Sequence, residues 1–129
     1  MKWIPILMAL LLLSGCAAQA QKKQSYRQID MDEAIAMMEA ESDYIILDVR
    51  TPEEFSEKHI PGAINVANET IGSKEIPELP DKDQLILVYC RSGNRSKHAS
   101  EKLVALGYTN IVEFGGINDW PGEVVSGAE

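Results

Sequence analysis

The sequence predicts an α/β domain: an open, mostly parallel sheet with helices on both faces. Three observations point there. Tyr44-Ile45-Ile46-Leu47-Asp48-Val49 and Leu85-Ile86-Leu87-Val88-Tyr89 are near-continuous apolar, β-forming runs, the pattern of strands covered on both faces. Stretches with helical spacing and helix-start signals alternate with the strand candidates. The length, 129 residues with 45% hydrophobic and 25% charged side chains, suits one folded domain and excludes a disordered chain.

Taken in order, the chain opens with one positive charge at Lys2 and an apolar run from Trp3 to Leu13. That run is too short to span a bilayer, which takes about 20 apolar residues, and suits a signal peptide over 1–15. Leu13-Ser14-Gly15-Cys16 resembles the bacterial lipobox, in which the chain is cut before a cysteine that then carries lipid. Cys16 is accordingly the expected lipidation site, and three acyl chains at about 0.8 kcal/mol per buried methylene would make attachment effectively permanent. Residues 16–25 read as the lipidated cysteine and a polar tether, and 26–129 as the domain. This implies an extracytoplasmic, membrane-anchored protein of the cell envelope, at the periplasmic face of the outer membrane in a Gram-negative cell.

Within the domain, Tyr26 to Ile29 is a short edge-strand candidate, and Asp30 with Glu33 forms a capping-box signal for a helix with Met31, Ala34, Ile35 and Met38 on one face. Thr51-Pro52-Glu53-Glu54 starts a second helix after the 44–49 strand. Ala63 to Val66 is a short strand; Asn68 to Gln84, with Pro77 and Pro80, is a long connection with one helical turn. After the 85–89 strand, a helix with Ala99, Leu103 and Leu106 inward ends at Gly107, and Asn110 to Phe114 is the last strand.

The net charge is −8, and removal of 1–15 takes Lys2 with it and makes it −9. Nucleic acid is thereby excluded as a partner, and an anionic substrate must be held by a local field. Two cysteines are too few for a disulfide scaffold, and neither belongs to a zinc-binding cluster, so no metal and no cofactor is expected. With Cys16 lipidated, Cys90 is a lone thiol. A core cysteine ending a strand is the plain alternative, but burial does not account for the Arg91-Ser92-Gly93-Asn94-Arg95-Ser96 that follows.

A strand, a Gly-containing loop and a helix N-terminus form an anion cradle, because backbone N–H groups converge there and the helix dipole adds positive charge. Arg91 and Arg95 add full charges, and the same field stabilises a thiolate. The chemistry is narrowed by what is missing. A cysteine hydrolase needs a histidine base, yet His98 lies two turns along the helix and His59, in Lys58-His59-Ile60-Pro61-Gly62-Ala63, reads as structural. Transfer of sulfur needs no base, since sulfite leaves thiosulfate unprotonated.

Four stretches in order then resemble the single-domain rhodanese family of sulfurtransferases: Asp48 to Phe55, His59 to Asn65, Cys90 to Ser96, and Gly115-Gly116-Ile117-Asn118-Asp119-Trp120. The resemblance implies that Cys90 takes the outer sulfur of thiosulfate as a persulfide and passes it to a thiophilic acceptor such as cyanide or a thiol. It implies that Arg91, Ser92, Gly93, Asn94 and Arg95 bind the substrate and that Asp48, Arg50 and Ser96 brace the site. With no second domain to wall it, the pocket is expected to be shallow and open, and the domain is expected to be a monomer. A persulfide carrier without turnover is the alternative. A phosphatase or arsenate reductase of the same fold is disfavoured, because those loops place five residues between Cys and Arg and only four separate Cys90 from Arg95.

Overall fold

The computed structural model describes residues 25–128. The predicted signal peptide, Cys16 and nearly all of the tether lie outside the described residues.

Local signals set the helix starts. In α1 (Met31–Ala40) the Asp30 carboxylate accepts from the Glu33 N–H at 2.8 Å, and Glu33 accepts from the Asp30 N–H, closing a capping box. Thr51 and Glu54 repeat the device at the start of α2 (Pro52–Glu57), with Pro52 at the first helical position. The third helix, α3 (Asn94–Ala105), has no side-chain cap. It ends where Gly107, at φ +100°, lets the Gly107 and Tyr108 N–H groups turn back onto the Val104 and Leu103 carbonyls.

The strands are β1 (Arg27–Gln28), β2 (Ile45–Asp48), β3 (Ile64–Asn65), β4 (Ile86–Cys90) and β5 (Ile111–Gly116). They form one sheet in the order β1-β5-β4-β2-β3, with every pairing parallel. Side chains alternate across it and feed two cores. Leu47, Val49, Ile86, Val88 and Cys90 face α3 through Ala99 and Leu103, with Ile71, Ile76 and Leu79 of the 68–84 connection closing the layer. Ile46, Leu87, Tyr89, Val112 and Phe114 face the other way, against Ala34 of α1 and Phe55 of α2. The connection holds one 3-10 turn, Asn68–Thr70, and is pinned where the Tyr108 hydroxyl donates to the Leu79 carbonyl at 2.6 Å.

Two features exceed the sequence expectation. The last strand runs two residues beyond Phe114, with its register to β4 shifted between Val88 and Cys90, so that Cys90 lies opposite Gly116. The C-terminal segment folds back: His59 and Val125 exchange both backbone hydrogen bonds and the Gly127 N–H donates to Ser56 O.

Candidate active site

Strand β4 is buried along its whole length and delivers Cys90 to its C-terminal end, at the centre of the sheet. The chain then turns through 91–93 into α3. Cys90 is 1% exposed, whereas Arg91, Ser92 and Asn94 are exposed around it, so the thiol is recessed behind a surface loop rather than lying in an open pocket. The Gly93 N–H donates to Sγ at 3.0 Å. Among the described residues the N–H groups of Asn94 and Arg95 find no backbone acceptor, as the first turn of a helix requires, and neither does that of Ser92 ahead of the N-cap. The helix dipole adds partial positive charge at this end of α3.

Glycines let the loop sit where it does. Gly93 has φ +115° and Gly115 φ +95°, conformations that a side chain would strain. At Gly116 the constraint is contact: a Cβ there would stand 2.0 Å from the Arg91 carbonyl oxygen and 2.6 Å from the Ser92 nitrogen. The Asn118 N–H donates to the same Arg91 carbonyl at 3.2 Å. Gly116→Ala should therefore push the loop off the sheet, costing about 1–3 kcal/mol in urea unfolding and slowing alkylation or loading of Cys90 more than the stability loss alone explains.

Asp48 and Arg50, at the end of β2, form a buried brace. The Arg50 guanidinium donates to both Asp48 oxygens, the shortest contact being 2.6 Å, and to the Lys58 carbonyl at 2.7 Å. The Arg50 N–H also donates to Asp48 at 2.8 Å, and Asn65 donates to the carbonyls of both residues. Burial pulls the Arg50 guanidinium down, but the hydrogen bonds and charge of Asp48 outweigh it and hold it above its ordinary value. Neither side chain touches Cys90; together they lock the β2 end to the loop after α2. Arg50, Glu54, Glu57, Lys58, Arg91, Ile117 and Asn118 line a groove of about 250 Å³ beside the Cys90 loop.

Arg95 is not a free cation. Its guanidinium forks onto Glu54 at 2.6 and 3.0 Å, tying α3 to α2. Arg91 and Lys58, both exposed and lining the groove, are the positive charges there that no salt bridge among the described residues engages. The Arg95 hydrogen bond, with help from Thr51, lowers Glu54 to about 2 against burial, which raises it. The folded value lies below the unfolded one, so this pair adds stability above about pH 4.5 that is lost as the pH falls toward 2. Glu54→Gln should lower the melting temperature at pH 7, and the gap from wild type should close in melts taken toward pH 2.

Ser96 and Glu113 stand behind the thiol. The Ser96 hydroxyl lies 3.4 Å from Cys90 Sγ and 2.5 Å from a Glu113 carboxylate oxygen. Glu113 lies inside β5 and is 2% exposed. Sequence reasoning passed over Glu113 and Glu54. The signal for Glu113 was an acid inside an otherwise apolar strand run; Glu54 was already explained as a capping residue. His59 is buried, stacked on Phe55 with ring centroids 3.7 Å apart, and bonded to Phe55 O through Nδ1; His98 is exposed on α3. Among the described residues no cluster of three or more His, Cys, Asp or Glu side chains could hold a metal ion.

In open parallel α/β sheets ligands sit at the carboxyl ends of the strands, and here a recessed thiol stands at that end of the central strand, in a loop that opens a helix. The rhodanese-like domain family matches residues 30–123, and the chain belongs to it. It is 37% identical over 73 residues to the thiosulfate sulfurtransferase PspE of Escherichia coli, covering 57% of this chain and 70% of that one. It is 26% identical over 113 residues to a putative sulfur carrier protein, YrkF, of Bacillus subtilis, covering 87% of this chain and 60% of that protein. A solved rhodanese with anions from E. coli superposes with a TM-score of 0.59 at 34% identity, covering 65% of this chain and 99% of that one. Other relatives, adenylyltransferase and sulfurtransferase enzymes of yeasts, are longer, and the chain spans only 20–27% of them.

Proposed function

We propose that the protein is a thiosulfate-type sulfurtransferase with Cys90 as its nucleophile. The observation that carries this reading is the recessed Sγ, held by the Gly93 N–H at 3.0 Å beneath loop amides with no acceptor of their own. The thiolate attacks the outer sulfur of thiosulfate; the new S–S bond forms as the bond to the sulfite sulfur breaks, and sulfite leaves with the electron pair. Amides of Arg91, Ser92, Gly93, Asn94 and Arg95 hold the persulfide, and Arg91 draws in the dianion. A thiophilic acceptor, cyanide or a thiol, then attacks the outer sulfur and Cys90 departs as thiolate. Ser96 braces the loop from behind, and Asp48 and Arg50 fix the neighbouring end of β2.

The likeness to a sulfur carrier favours a second reading, a persulfide carrier without turnover. Thiosulfate loading followed by mass spectrometry, beside a steady-state assay with thiosulfate and cyanide, decides between them. Gain of one sulfur atom with turnover supports the transferase; gain without turnover supports the carrier; no gain overturns both.

We place the domain outside the cytoplasm, anchored through Cys16, on the strength of the lipobox-like Leu13-Ser14-Gly15-Cys16. Cells expressing the chain should label it with radioactive palmitate, and Cys16→Ser should abolish the label.

A further inference from the structure

Two carboxylates are buried among the described residues, Asp48 and Glu113. Asp48 has Arg50, but Glu113 has no cation. Its partners are neutral: Gln28 donates to one oxygen at 3.3 Å, and the Gly115 N–H and the Ser96 hydroxyl donate to the other at 2.9 and 2.5 Å. An uncompensated buried carboxylate is costly to keep, and the mechanism above gives it no task.

Its location suggests one. In the β4–β5 register Glu113 stands opposite Val88, two residues before Cys90 on the same face of the sheet, and Ser96 of α3 lies over both. The Ser96 hydroxyl has a single proton and three acceptors in reach: Glu113, the Gly93 carbonyl at 2.9 Å and the Gly115 carbonyl at 3.4 Å. The charged carboxylate, also the shortest contact, takes it. A lone pair of Ser96 Oγ then faces Cys90 and accepts from the thiol at 3.4 Å. Thiol, hydroxyl and carboxylate form a directed chain of direct hydrogen bonds.

Loading turns the sulfur into an anion. Two anions sharing one hydroxyl in a buried cluster without a cation cannot both persist cheaply, so the cluster favours one negative charge. We infer that Glu113 takes up, through Ser96, the proton that Cys90 gives up when it is loaded, and returns it when the sulfur is passed on. This rests on the sulfur-transfer reading.

The proton moves in two links. The S–H bond breaks as the sulfur proton passes to Ser96 Oγ, and the Ser96 proton passes to Glu113, so thiolate and carboxylic acid replace thiol and carboxylate with the total charge unchanged. The thiolate then displaces sulfite. When the acceptor has taken the sulfur and Cys90 leaves as thiolate, both protons step back. Glu113 is a positioning residue, acting on the sulfur only through Ser96. Two further ionisable groups interact with the cluster: Arg95, already bound to Glu54, with Cys90, and Tyr26, which also feels Glu101 of α3, with Glu113.

The test is the pH dependence of iodoacetamide alkylation of Cys90 in purified wild type, Glu113→Gln and Ser96→Ala. An internal acceptor makes the wild-type rate nearly flat from about pH 5 to about pH 7, between the ordinary carboxyl and thiol ranges. Either variant must release its proton to solvent, so its rate should fall about tenfold per pH unit, about a hundredfold over that span. Ser96→Ala cuts the chain while leaving Glu113, so the test stands even where Glu113→Gln folds poorly. Equal slopes in all three proteins overturn the relay. After thiosulfate treatment, the infrared difference spectrum of wild type should gain a protonated-carboxyl band that Glu113→Gln lacks. Mass spectrometry of that sample separates the failures: a loaded protein without the band overturns the relay, whereas an unloaded protein overturns the sulfur-transfer reading and leaves the alkylation slopes to decide the relay.

Discussion

Cys90→Ser should abolish sulfur loading and lower thiosulfate:cyanide turnover by at least about a thousandfold, while leaving the fold intact. The exchange alters one atom at a site that is 1% exposed and already polar on one side. A serine oxygen can still accept the Gly93 N–H and lie against Ser96, so urea unfolding should shift by no more than about 1 kcal/mol. The chemistry is another matter. A hydroxyl is far from ionised near neutral pH and is a poor nucleophile toward sulfur, so no sulfur should be gained on thiosulfate treatment. A Cys90→Ser protein that still gains a sulfur atom would move the nucleophile elsewhere.

Asp48→Asn should be the most destabilising of the substitutions considered, by about 3–5 kcal/mol in urea unfolding. The change is nearly isosteric, so it isolates charge. The new amide can keep one acceptor oxygen for the Arg50 backbone, but the guanidinium of the Arg50 side chain, which is 4% exposed, would be left buried with the Lys58 carbonyl as its main partner. Domains of this kind are stable by only about 5–15 kcal/mol, so such a loss is a large share of the whole. Removing both charges, with Asp48→Asn and Arg50→Met together, should cost less than Asp48→Asn alone, because no unpaired cation remains. A double variant less stable than the single one would show that the brace contributes packing rather than charge balance.

Much of the fold was legible because its signals are local. The run Leu85 to Tyr89 has to be covered on both faces whatever surrounds it, Asp30 and Thr51 carry their own caps, and Gly107 stops its helix with its own backbone. Cys90 and its loop were legible for the same reason, since strand, glycine and helix start are contiguous. What escaped the sequence depends on residues far apart along the chain. Glu54 stands 41 residues from Arg95 and Glu113 17 from Ser96, and no spacing rule links such pairs before the register of β4 and β5 is fixed. The same holds for the thiol's recession, which follows from how 115–118 press against 91–92.

That pressure gives the site a character of its own. The Arg91 carbonyl is seated where a Gly116 side chain would be, and the far end of the loop continues directly into α3, so the loop is held at both ends. A binding place of this sort screens molecules by reach rather than by embrace. For the proposed sulfur transfer, a donor whose terminal sulfur projects from a slim body would arrive end-on, whereas a bulky disulfide would not bring its sulfur down to a thiol set so deep. Selectivity then lies in the width of a fixed aperture, and broadening it would mean rebuilding the seam between β5 and the loop rather than recharging its rim.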